Sequence, residues 1–167
     1  MDIISHGLWG SLAFGRKNKR SFWTAFLFGI SPDLFSFGAF FISVFLGIQK
    51  FPPFGTEPPD PSLIPAYVSN LYNISHSLII FALVFILVWV MRKKPLWEAS
   101  AWGLHILFDI PTHAHGFFPT PFLWPIADFK INGIPWSRPI IFIPDIALLI
   151  ILYFYFFVYR KRRAEKL

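Results

Sequence analysis

His105 and Asp109 stand four residues apart inside an apolar run, within the stretch WGLHILFDIPTHAHGFFPTPFLWP from Trp102 to Pro125. On a helix that spacing puts an imidazole and a carboxylate on one face. Both are ligand types for a divalent metal, and both can accept or deliver a proton. An ionisable pair is expensive in a membrane-grade apolar segment, and by default it marks function. Pro111 is expected to end the helical run. The loop after it carries His113 and His115 among Pro and Phe residues, and it is the expected lid of a site.

The elements that must hold such a pair are membrane elements. The 167 residues are 55% hydrophobic and 14% charged, with 22 Phe. A soluble domain is closer to a quarter charged. The composition predicts one integral membrane domain over residues 1–167, an all-α bundle of four to five transmembrane helices. The net charge of +6 does not point to nucleic acid, because twelve of the fifteen Lys and Arg fall in three clusters beside apolar runs. These are Arg16, Lys17, Lys19 and Arg20; Arg92, Lys93 and Lys94; and Arg160 to Arg163 with Lys166. That is the positive-inside pattern, and it puts the C-terminus in the cytoplasm of an inner-membrane protein. Cysteine is absent, which excludes disulfides and thiolate ligands. The Met-Asp start has no basic region ahead of the apolar stretch and does not read as a cleaved signal peptide.

Residues 3–15 form an apolar segment too short to span the hydrocarbon core. Residues 21–48 are long enough, but Ser31-Pro32-Asp33 interrupts them, so the second helix is expected to be broken or bent at Pro32 with Asp33 facing inward. Six prolines between 52 and 65 predict an outer loop over 49–70. Residues 74–91 are the clearest span, with Asn73 or Ser75 as the cap. Residues 96–110 return outward, 111–138 make a second outer loop, and 139–159 span inward to Arg160.

Counting residues from each basic cluster at about 1.5 Å apiece gives depth. His6 lies about 15 Å above Arg16, and Asp33 about 20 Å above Arg20. His76 lies about 24 Å above Arg92, His105 and Asp109 about 17 and 22 Å above Lys94, and Asp145 about 22 Å above Arg160. The strongly polar residues of the apolar segments therefore share one layer, in the outer half of the bilayer. Three His and two or three Asp in one layer suit a divalent metal: zinc first, with Mn or Fe as carboxylate-tolerant alternatives. A cation would also keep Asp33 and Asp109 ionised where unpaired carboxylates would neutralise. His6, Asp33, His76, His105 and Asp109 are the expected ligands. Asp145 or His113 is the expected catalytic proton carrier at the mouth.

Four blocks in order carry a resemblance. They are His6-Gly7, Pro32-Asp33, His76-Ser77, and His105-x-x-x-Asp109 with Gly103 before it and Leu123-Trp124-Pro125 after it. Over roughly residues 6–126 the chain resembles the bacterial membrane-bound metal-dependent hydrolases of the inner membrane, which are distantly similar to zinc-dependent phospholipase C. It departs from them at Phe35 and Ser36, where that family often has a further acid and a His. The resemblance implies an all-α fold and phosphoester hydrolysis. The position of the layer adds an amphiphilic substrate, a phospholipid or polyprenyl phosphate whose head enters while its tail stays in lipid. The competing expectation is a membrane protein without catalysis, either a scaffold or an ion or proton pathway with a structural polar cluster. A pathway predicts polar residues continuing toward the basic side, and residues 80–91 and 147–158 carry none apart from tyrosines.

Overall fold

The computed structural model describes residues 1–50 and 64–159. The basic cluster from Arg160 onward and most of the proline-rich loop lie outside those residues. Among the described residues the regular elements are all helical: α1 (Ile3–Phe14), α2 (Lys19–Phe45), α3 (Ala66–Ser75), α4 (Leu78–Arg92), α5 (Ser100–Thr112) and α6 (Pro139–Tyr153). A 3-10 turn, Trp97–Ala99, leads into α5, and a π turn, Phe154–Tyr159, continues α6. Two helical runs are long and apolar enough to cross a membrane, Lys19–Phe45 and Pro139–Tyr159. The pair α3 and α4 makes a third if counted as one span bent by 57°.

Local chemistry sets the ends. The Asp2 side chain accepts from the amides of Ile4 and Ser5 and starts α1, and Asn18 does the same for α2 through Ser21. Pro139 opens α6 at the position where a missing N–H costs nothing. Lys93 closes α4 in the left-handed region, at φ 56°. Helix α5 runs one residue past Pro111 to Thr112.

The helix expected to break at Pro32 does not break. Helix α2 runs through Pro32 for 27 residues. Proline leaves the Phe28 carbonyl without its amide donor, and the Ser31 hydroxyl replaces that donor at 3.0 Å. One turn on, the Ser36 hydroxyl donates to the Pro32 carbonyl at 2.9 Å.

The break falls instead at His76–Ser77, between α3 and α4, and Ser77 is the cap rather than Asn73 or Ser75. Its hydroxyl accepts from Ile79 and Ile80 and donates to the Trp124 carbonyl. The Leu78 amide donates to Phe122 at 3.0 Å, and the Trp102 indole donates to the Ser75 carbonyl at 2.6 Å. Buried irregular backbone needs protein partners for its polar groups, and these contacts supply them.

Helices α1, α2, α3 and α5 pack together around the interior. Helix α4 buries no residue, and α6 only Asp145 and Leu149. Their outward Ile, Leu and Val form a surface suited to lipid. At 12 and 13 residues, α1 and α5 are about 18 and 20 Å long, short of a full crossing. They lie against α2 as inserts that carry chemistry.

Candidate metal centre

Four helices meet at the interior cluster. Helix α1 brings His6, α2 brings Asp33, the α3–α4 break brings His76, and α5 brings His105 and Asp109. His6, His76, His105 and Asp109 are each 2% exposed or less, and the Asp33 side chain is 19% exposed. The break at His76 lets the backbone between α3 and α4 aim an imidazole sideways at α5.

Helix packing fixes the approach. Gly29 lies where α2 meets α1, and a Cβ there would stand 2.6 Å from the His6 carbonyl oxygen and 3.0 Å from the Gly7 Cα. Only glycine permits this separation. The same Gly29 presents its carbonyl to His105 Nδ1 at 2.7 Å.

Hydrogen bonding then sets the tautomers. A carbonyl can only accept, so His105 Nδ1 carries a proton, and in the neutral ring its Nε2 presents a lone pair. The Ser75 hydroxyl lies 2.9 Å from His76 Nδ1 and 3.4 Å from the Tyr72 carbonyl, and when it donates to that carbonyl it accepts from Nδ1. In that neutral tautomer His76 Nε2 presents a lone pair as well. These two Nε2 atoms face each other at 3.1 Å. Asp109 Oδ2 lies 3.1 Å from His105 Nε2 and 3.5 Å from His76 Nε2. Asp33 Oδ1 lies 3.4 Å from His76 Nε2 and 3.8 Å from His105 Nε2.

One ligand atom from each of Asp33, His76, His105 and Asp109 lies within 4.8 Å of the other three. These residues could hold a metal ion. Four donors at roughly 2.1 Å from a tetrahedral ion stand about 3.4 Å apart, and the five separations above run from 3.1 to 3.8 Å. The site also has the outer support that metal-bound imidazoles require: Gly29 behind His105 and Ser75 behind His76.

His6 reaches the cluster from behind the carboxylate. Its Nε2 lies 2.9 Å from Asp109 Oδ1, the oxygen turned away from the ligand group, and its ring stacks on His105 at 3.6 Å between centroids. The structure therefore brings His6 to the site as a partner of Asp109, outside the four. Asp109 Oδ1 also receives the Met1 amino group at 2.6 Å and faces His113 Nε2 at 3.3 Å. His113 lies at the rim with its Nδ1 donating to the Phe118 carbonyl at 3.0 Å. Tyr72 donates to that same carbonyl at 2.9 Å and stacks on His76 at 3.7 Å. The loop after α5 thus covers the cluster, as a lid would.

Asp145 is not brought to the cluster. Its hydrogen-bond partner is the Trp9 indole at 2.6 Å, and its other oxygen is buried without one among the described residues. Equal depth did not mean convergence, because Trp9 takes up its carboxylate. His115 faces away, onto Asn132 and the Lys130 carbonyl. Sequence reasoning missed Gly29, Ser75 and Tyr72. Ser75 adjoins His76, and Gly29 stands one helical turn before Asp33, which is the signal that could have found them.

No family model, curated protein or solved structure matches the chain.

Proposed function

We propose that the protein is a membrane-embedded, metal-dependent hydrolase acting on an amphiphilic phosphoester such as a phospholipid or a polyprenyl phosphate. The observation that carries the metal is the set of four converging electron-pair donors. Two neutral imidazoles and two carboxylates favour a cation among them, beyond the Met1 amino group that Asp109 Oδ1 already receives. Zinc fits the donor set and spacing best, and Mn or Fe suits the same ligands. The hydrolytic reading is supported by the order of the His6, Pro32-Asp33, His76-Ser77 and His105-x-x-x-Asp109 blocks.

A divalent ion held there would supply Lewis-acid polarisation of a phosphoryl oxygen and ready deprotonation of water. The chain's own groups do the rest. Gly29 holds His105 and Ser75 supports His76, each through the ring's Nδ1, which leaves both Nε2 atoms facing the cluster. His6 orients Asp109. His113 donates from Nδ1 to the Phe118 carbonyl and turns its Nε2 toward Asp109 Oδ1 at 3.3 Å. It is the rim group best placed to deliver a proton to a leaving alkoxide. Asp33, the most exposed of the four, marks the side from which a head group would enter.

In this reading the chain lies in the inner membrane as a bundle of four to five helical segments, two or three of them long enough to cross, with its C-terminus cytoplasmic and the site in the outer half. The test uses purified protein reconstituted in lipid vesicles and stripped with a chelator. Zn or Mn is then added back, and release of the phosphorylated head of a phospholipid and of polyprenyl phosphate is followed. Metal-dependent release that is lost in Asp109→Ala supports the reading. A metal-loaded protein that releases nothing from either substrate class overturns it.

A further inference from the structure

The basic end of the bundle carries a second cavity, separate from the metal cluster. Its volume is about 610 Å³, inside the range of small-molecule sites, roughly 300–1,000 Å³. Three separate elements build it. Phe14 closes α1, and Arg16 and Lys17 follow in the turn to α2. Trp97 and Glu98 come from the 3-10 turn before α5, and Phe156 comes from the π turn that ends α6. A single π turn often marks a functional position in a helix.

The chemistry of the lining is divided. Arg16 and Lys17 are exposed cations, and neither forms an ion pair among the described residues. One carboxylate shares the lining: Glu98 accepts from the Ser21 hydroxyl at 2.6 Å and feels the charge of Lys17, so two cations face a single negative charge there. The Arg16 guanidinium lies 4.3 Å over the Phe156 ring. That contact uses the ring face and none of the five N–H donors. Below the cations the walls are aromatic. A cationic rim over an apolar wall, at the end of a membrane bundle, matches a ligand with an anionic head and an apolar body.

We propose that this cavity binds the head of an anionic glycerophospholipid, with the phosphate between Arg16 and Lys17 and the glycerol and first acyl carbons against Phe14, Trp97 and Phe156. The recognised chemistry is an anionic phosphate ester, and the apolar walls favour the lipid form over a soluble one. The proposal does not depend on the metal or on hydrolysis. A topology signal needs positive charge at this end but needs no cavity, and that difference makes the two readings separable.

The experiment is native mass spectrometry of the full chain in detergent, with phosphatidylglycerol and phosphatidylcholine offered at equal concentration. Phosphatidylglycerol is expected to be retained in preference. Arg16→Gln and Lys17→Gln should each lower its retention roughly five-fold, with Arg16→Lys close to the wild type. Lys94→Gln, which removes a cation from the basic cluster after α4 without touching the cavity, should change nothing. Equal retention of the two lipids overturns the proposal, and so does a Lys94→Gln effect as large as that of Lys17→Gln. Millimolar glycerol phosphate is then added as competitor. Continued retention of the lipid supports the lipid assignment, and displacement overturns it in favour of a soluble phosphate ester.

Discussion

Gly29→Ala tests how packing and chemistry are joined at this centre. The added methyl would stand 2.6 Å from the His6 carbonyl oxygen, about 0.8 Å inside the 3.4 Å at which ordinary contact begins. The obstacle is backbone on α1, with the Gly7 Cα at 3.0 Å behind it, so a rotamer change cannot relieve it. The two helices must separate by several tenths of an ångström. Overpacking of this kind costs about 1–3 kcal/mol. The same movement carries the Gly29 carbonyl away from His105 Nδ1, now 2.7 Å apart. Losing an outer-shell partner of this type lowers metal affinity roughly 10–100-fold. The assay is thermal unfolding in detergent together with zinc affinity measured by chelator competition. Gly38→Ala is the control, because nothing lies within 4 Å of a Cβ there. It should be neutral or gain up to about 1 kcal/mol. A Gly29→Ala protein that matches Gly38→Ala in both measurements refutes the reasoning. One that loses stability but keeps wild-type zinc affinity refutes the role given to the Gly29 carbonyl.

Ser31→Ala should cost about 1 kcal/mol by stranding the Phe28 carbonyl beside Pro32. In a Pro32→Ala background the restored amide should erase that cost, and a double-mutant cycle that shows simple additivity would contradict it. The Ser21 hydroxyl, donating at 2.6 Å, holds the Glu98 carboxyl below its ordinary value of 4.5. Glu98 therefore contributes stability that is present above that value and lost as pH falls through the lowered one. Ser21→Ala should raise the Glu98 pKa in an NMR titration, and an unchanged midpoint would rule out the bond as the cause. In Gly133→Ala the new Cβ would collide with the Pro111 carbonyl. The amides of Gly133, Ile134 and Trp136, now bonded to His113, Pro111 and Thr112, should exchange faster with deuterium. Unchanged protection would mean that the segment is not held there.

Much of the centre was legible because the bilayer makes polar side chains conspicuous. His105 and Asp109 were readable from helical spacing alone, and depth counting added His76, Asp33 and His6. Depth is one coordinate, however, and it says nothing of direction around the helix axis. Asp145 shares the layer and turns to Trp9 instead. The position of the break was misread for a related reason. Proline at 32 is a strong local signal, but a neighbouring hydroxyl supplied the lost donor and the helix continued. The actual break at His76–Ser77 has no proline. It depends on Phe122, Trp124 and Trp102, which are distant in sequence and supply its backbone partners. The tautomers of His76 and His105 were also out of reach, since Gly29 and Ser75 matter through a carbonyl and a hydroxyl whose partners only the fold reveals.

The most direct measurement is elemental analysis of the protein purified without chelators, beside His105→Ala, Asp109→Ala and Asp145→Asn. We expect about one divalent ion per wild-type chain, its loss in the first two variants, and its retention in Asp145→Asn, whose carboxylate lies with Trp9. A folded wild-type protein that holds no stoichiometric metal, even after incubation with Zn, Mn and Fe salts, would contradict the account. So would variants at His105 and Asp109 that hold as much metal as the wild type.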